Sequence, residues 1–114
     1  MRYLKVLILI ISISSFSLHA KEKGRIGFSI DVSVSGFFSP ELTSVNIKDV
    51  TKGSPADLAG IKKGQKILSI DGCGIPSCPA DKAKKLMSRK SGEVLPLLIK
   101  KLNGQQVLIK IQVK

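Results

Sequence analysis

The stretch GSPADLAGIKKGQKILSIDG, Gly53 to Gly72, decides the fold. Its first half is a short helix with both ends written in. Ser54 is placed to accept from the first free N–H groups, and Pro55 stands where a missing N–H costs nothing. Asp57 lies near the positive end of the dipole, and Gly60 is a left-handed stop. One or two turns are all this spacing allows. Its second half turns tightly at Gly64 and runs into a buried strand through Ile67, Leu68 and Ile70, which the turn pair Asp71-Gly72 closes.

Upstream, Ile26, Phe28, Ile30, Val32 and Val34 alternate with Gly27, Ser29, Asp31 and Ser33, the period of a half-buried strand. Pro40 interrupts SGFFSPEL, and TSVNIKDV gives a second short strand through Val45, Ile47 and Val50. Phe37 and Phe38 in that loop are expected to form a hydrophobic lid over the core. Downstream, SCPADKAKKLMSRKSG predicts a longer helix, with Ser77 as cap, Pro79 near the first turn and Gly92 as stop. Ala80, Ala83, Leu86 and Met87 carry its apolar side. Asn103-Gly104 signals a two-residue hairpin, followed by alternating Val107, Ile109, Ile111 and Val113. Pro96 places its own strand at an edge or a bulge. Five strands and two helices in this order predict an α+β fold, a mostly antiparallel, partly open barrel or sandwich capped by one short and one longer helix.

Before all this, Arg2 and Lys5 precede the apolar run VLILIISISSFSL, and Ala20 closes it. That is the layout of a signal peptide, too short for a membrane span of roughly 20 residues. The expected division is a signal peptide over 1–20 and one domain over 21–114, periplasmic or secreted. Contact with a membrane is expected only if the segment stays uncleaved as an anchor. The remaining length permits one domain with a modest core.

With the signal segment removed, seventeen Lys and Arg face eight Asp and Glu, a net charge of +9. The bases are scattered as KK, KAKK and RK without interleaved aromatics, which argues against nucleic acid as a partner. The only histidine, His19, falls in the signal segment. Histidine triads and the usual zinc sites are thereby excluded, and no metal or cofactor is expected. Asp31, Asp71 and Asp81 show no paired spacing that would suit catalysis, so an enzyme is not expected. Cys73 and Cys78 in CGIPSC lack the C-x-x-C redox spacing, and in an oxidising compartment the pair is expected to form a disulfide that staples a small loop.

These segments, in order, resemble bacterial PDZ domains: the Gly-Ser-Pro-Ala turn, the helix ending in Ala-Gly-Ile, the turn at Gly64 and the strand ending in Asp-Gly. RIGF, Arg25 to Phe28, stands where such domains carry a GLGF-type loop, and PADKAKKLM resembles the helix that closes their binding groove. The resemblance covers about the whole chain after the signal. The arrangement is similar to the circularly permuted form of periplasmic serine proteases and carboxyl-terminal processing proteases, with the edge strand supplied by Gln106 to Val113. Gln65, in place of the usual Asp after Gly64, and the cysteine-closed loop depart from the pattern.

The resemblance implies a non-enzymatic module that captures C-terminal or extended segments of partner proteins by strand addition. Carried over residue by residue, the carboxylate loop is Arg25, Ile26, Gly27 and Phe28. Gly27 leaves room for the ligand to approach the backbone, and Arg25, with Lys21 or Lys23, adds cationic attraction. The groove is Ser29, Ile30, Ala80, Lys84 and Met87. Ile26, Phe28, Ile30 and Met87 would form a pocket for an apolar last residue, while Ala83 and Leu86 turn inward. Ala80 stands where some members have a histidine for a ligand Ser or Thr, and Lys84 favours an acidic ligand side chain. The alternatives for Lys84 and Met87 are a solvated lysine and plain core packing. A second expectation, drawn from the charge, is a basic adaptor that docks on an envelope assembly independently of the groove, such as secretion machinery or a protease. Oligomeric state is not legible in the sequence.

Overall fold

The computed structural model describes residues 24–114. Residues 1–20, read above as a signal peptide, and Lys21 and Lys23 lie outside the described residues. The elements are β1 (Phe28–Ser35), β2 (Glu41–Val50), α1 (Pro55–Leu58), β3 (Lys66–Ile70), β4 (Cys73–Gly74), α2 (Ala80–Met87), β5 (Val94–Lys100) and β6 (Gln106–Gln112). One antiparallel sheet runs in the order β1-β2-β3-β5-β6, with the two-residue β4 paired to β3. The α+β, PDZ-like architecture is as expected, with β4 as a sixth strand.

The core forms where alternation is cleanest. Leu95, Leu97 and Ile99 of β5 are fully buried, and Val45, Ile47, Ile67, Ile70, Ile111 and Val113 surround them. Ala56 and Ile61 cover one side, from α1 and the turn after it, and Ala83 of α2 covers another. α1 follows its local code: the Ser54 hydroxyl accepts the Asp57 N–H at 3.2 Å, and the Asp57 carboxylate accepts the Gly53 N–H at 2.8 Å. Gln65, buried in the turn that follows, accepts the Lys62 N–H at 2.9 Å through Oε1. Glutamine here closes the turn that precedes β3.

Six expectations are corrected. β1 starts at Phe28, because Gly27 is left-handed at φ 93° and breaks the alternation before it. α2 has Pro79 at its N-cap with no side-chain cap, Ser77 being held in the cysteine loop by its N–H to the Leu42 carbonyl. The helix also stops at Met87, well before Gly92. There the Ser88 hydroxyl donates to the Lys84 carbonyl, and the Arg89 side chain reaches out to Asp71.

Pro96 lies on an interior strand. It pairs with Lys110 on one side, and on the other its carbonyl takes the Asp71 N–H at the turn where the β3 ladder ends, so no ladder bond is lost there. The last loop spans Leu102–Gly104, longer than the two-residue turn expected from Asn103-Gly104. Lys101 and Gln105 still bond across its base, and only Gly104 has a positive φ. Finally, Phe37 and Phe38 lid nothing: they are 88% and 90% exposed.

Candidate peptide-binding groove

β1 is an edge strand, paired to β2 alone among the described residues. Between it and α2 runs an apolar groove of about 420 Å³, within the size range of ligand sites, roughly 300–1,000 Å³. Ile30, Val32 and Val34 form one wall, Leu42, Ile70 and Ala83 the floor, and Ala80, Lys84, Met87 and Ser88 the helical wall. Of the groove residues read from sequence, Ile30, Ala80, Lys84 and Met87 come together as expected. Ser29 is exposed on β1 and is not part of the groove wall. Val32, Val34, Leu42, Ile70 and Ser88 were missed. The two valines had the right alternation, but the periodicity alone does not separate a wall left open from one covered by core.

The loop Arg25 to Phe28 is fastened to the Ser54 turn. The Ile26 carbonyl accepts the Ala56 N–H at 2.9 Å, and the Gly27 carbonyl accepts the Thr51 N–H at 2.8 Å and the Ser54 hydroxyl at 3.3 Å. In a trans peptide the N–H points opposite to the carbonyl of the same plane. The N–H groups of Gly27 and Phe28 are therefore directed away from β2 and the Ser54 turn, toward the open edge of β1. Two successive amides directed to one side in this way are able to hold an anion.

Gly27 is required for a different reason than expected. A Cβ at this position would collide with the Ser54 side chain on the inner side of the loop, and φ is 93°. The constraint comes from packing within the loop, in addition to any approach by a ligand.

Two loop residues are placed differently from the expectation. Ile26 and Phe28 are half-buried against the core and form no part of the groove wall. Ile26 instead lines a separate, more polar cavity with Arg25, Lys52, Ser54 and Lys114. Arg25 is exposed, and its backbone pairs with Lys114, N–H to carbonyl at 2.7 Å. The loop root is also tied to the segment after α2, the Gly24 N–H donating to the Arg89 carbonyl at 2.8 Å. The C-terminal segment thus supplies the edge beside the loop, as the permuted order requires.

At the other end, Cys73 and Cys78 form a disulfide. The Leu42 N–H donates to the Cys78 carbonyl, and the Ala80 N–H to the Pro40 carbonyl, so the start of α2 is bonded to the start of β2. Among the described residues, no three of His, Cys, Asp and Glu converge as metal ligands.

An open strand edge, a facing helix and a loop at one end are the features of a peptide-binding module. The PDZ domain model matches residues 15–100, and the chain belongs to the PDZ domain family. Tax1-binding protein 3 of Homo sapiens is 28% identical over 101 residues, covering 80% of this chain and 82% of that protein. The Caenorhabditis elegans homolog is 34% identical over 87 residues, covering 71% of this chain and 68% of the relative.

Among solved structures, the HtrA3 PDZ domain bound to a phage-derived ligand (FGRWV) superposes with a TM-score of 0.57 at 18% identity, over 81% of this chain and 86% of that one. The photosystem II D1 C-terminal processing protease gives 0.56 at 14%, over 77% of this chain and 22% of the other. The serine endoprotease of Yersinia pestis gives 0.52 at 25%, over 81% and 29%. The chain spans under a third of either protease.

Proposed function

We propose that the chain is an exported, non-enzymatic module that captures the C-termini of partner proteins ending in an apolar residue. The ligand adds as a strand to the open edge of β1, and its carboxylate is held by the N–H groups of Gly27 and Phe28. The observation that carries this reading is the outward turn of those two amides, fixed by the bonds from the Ile26 and Gly27 carbonyls to residues 51–56. Ile30 and Met87, behind an otherwise apolar groove, would take the last side chain. The FGRWV ligand of the HtrA3 domain also ends in an apolar residue. Arg25 beside the loop and Lys84 midway along the helical wall would add attraction for acidic groups.

A display screen of random peptides with free C-termini tests the reading. Enrichment of apolar last residues, lost in Gly27→Glu, is expected; enrichment without regard to the terminus would contradict it. Export through residues 1–20 is tested by N-terminal sequencing of protein from the cell envelope, with Lys21 expected first and Met1 contradicting cleavage. The purified protein is expected to leave a fluorescent casein substrate uncut. Turnover that copurifies with the chain through every step would contradict the non-enzymatic part.

A further inference from the structure

The groove does not stop where a short C-terminal ligand would. β1 is eight residues long, which at about 3.4 Å per residue is an edge of about 27 Å, roughly twice the span of a four-residue ligand tail. The groove-facing side chains of its outer half are apolar and open: Val32 and Val34 are 44% and 54% exposed. Immediately beyond, in the turn between β1 and β2, Phe37 and Phe38 pack edge to face on each other with ring centroids 4.9 Å apart. They touch no core, being 88% and 90% exposed.

This turn is fixed relative to the helix. The Pro40 carbonyl takes the N–H of Ala80, the first groove residue of α2, and Glu41 bridges to Pro79. The Cys78 carbonyl takes the Leu42 N–H, and Cys78 is itself bonded to Cys73. The aromatic pair therefore stands at the upstream mouth of the groove, on a base anchored to the helix.

We propose that Phe37 and Phe38 form an upstream subsite, and that the ligand is a longer extended segment with apolar side chains at every second position and an aromatic or large apolar one opposite this pair. The inference rests on the groove reading above. An extended ligand paired to β1 presents alternate side chains to the groove wall, so Ile30, Val32 and Val34 match apolar residues two apart. The next such ligand position reaches the turn. Aromatic pairs gain about 0.5–1.5 kcal/mol beyond the area they bury, which makes an exposed pair at this mouth a contact with real discriminating power.

Isothermal titration calorimetry with protein expressed from the full-length gene tests this with two probes, Ser-Phe-Ser-Val-Ser-Val-Ser-Val and its C-terminal half, Ser-Val-Ser-Val, both with free carboxylates. The longer peptide is expected to bind at least about tenfold tighter. In Phe37→Ser/Phe38→Ser most of that gain should vanish while affinity for the shorter peptide stays unchanged. Both substituted positions are exposed, so the fold should be unaffected. Equal affinities for the two peptides, or a gain that survives the double substitution, would overturn the subsite and leave the groove standing. Binding of neither peptide would overturn the groove reading and the subsite with it. Sedimentation with anionic lipid vesicles that depends on the two phenylalanines, together with equal peptide affinities, would assign the turn to a membrane surface instead.

Discussion

Gly27 holds the loop through a left-handed backbone and through the space its missing side chain leaves for Ser54. Gly27→Ala should therefore lose more than a backbone penalty of about 1–3 kcal/mol, because the new Cβ also meets the Ser54 side chain. Ser54→Gly removes that obstacle along with the cap on Asp57, a loss of a few tenths to about 1 kcal/mol by itself. Urea unfolding of both single variants and the double should show strong non-additivity, with the double less destabilised than the sum. Additive losses would mean that Ser54 does not set the constraint. Lys84 is exposed on the helical wall of the groove, so its contribution to an acidic ligand is that of a surface ion pair, about 0–1 kcal/mol. Lys84→Glu should weaken a peptide bearing an acidic residue before its last two positions by two- to about fivefold at low salt, and the difference should shrink at 0.5 M salt, inside a shorter Debye length. A salt-independent change would place Lys84 outside the contact.

At the scale of elements, the cysteine loop determines how the upstream end of α2 is held. The loop is short, so the model that attributes disulfide stability to loop closure gives only about 2 kcal/mol. Cys73→Ser/Cys78→Ser should lower the melting temperature by roughly 8–16 °C for a domain of this size. Because the loop joins α2 to β2 at Leu42 and Pro40, hydrogen exchange at Leu42 and Ala80 should rise more than at Ile99 in the core; a uniform change would contradict this local role.

How much of each element was legible depends on how local its causes are. α1 and its caps were readable because Ser54, Asp57 and Gly60 act within one turn. The end of α2 was not, since the chain just past it is held by contacts distant in sequence, Arg89 to Asp71 and the Gly24 N–H to the Arg89 carbonyl. Pro96 was read as marking an edge or a bulge because a sequence does not show that the neighbouring ladder ends at Asp71. Phe37 and Phe38 were misread because hydrophobicity suggests burial, while only the tertiary structure shows that no core lies beneath them. In the candidate site, the helical residues at 3.6-residue spacing were found. Ile26 was assigned to the groove by extending strand alternation through Gly27, which breaks it, and Phe28, although on β1, packs against the core instead.

For the whole molecule, a small core centred on β5 supports a sheet whose first strand, among the described residues, is left open along its length. Leu97 is fully buried, and Leu97→Ala should cost about 2–5 kcal/mol of stability without a selective effect on peptide preference among folded molecules. A loss of terminus preference in that folded fraction would mean that the groove is not a preformed feature of the scaffold. The central claim is that the Gly27 and Phe28 amides recognise a free carboxylate at the end of an apolar groove. The most direct measurement compares the affinity of Ser-Phe-Ser-Val-Ser-Val-Ser-Val with that of the same peptide carrying a C-terminal amide. Recognition of the carboxylate predicts that the amide binds at least about tenfold more weakly, a difference of about 1.4 kcal/mol. Equal affinities would contradict it and make the loop a turn that merely starts a strand.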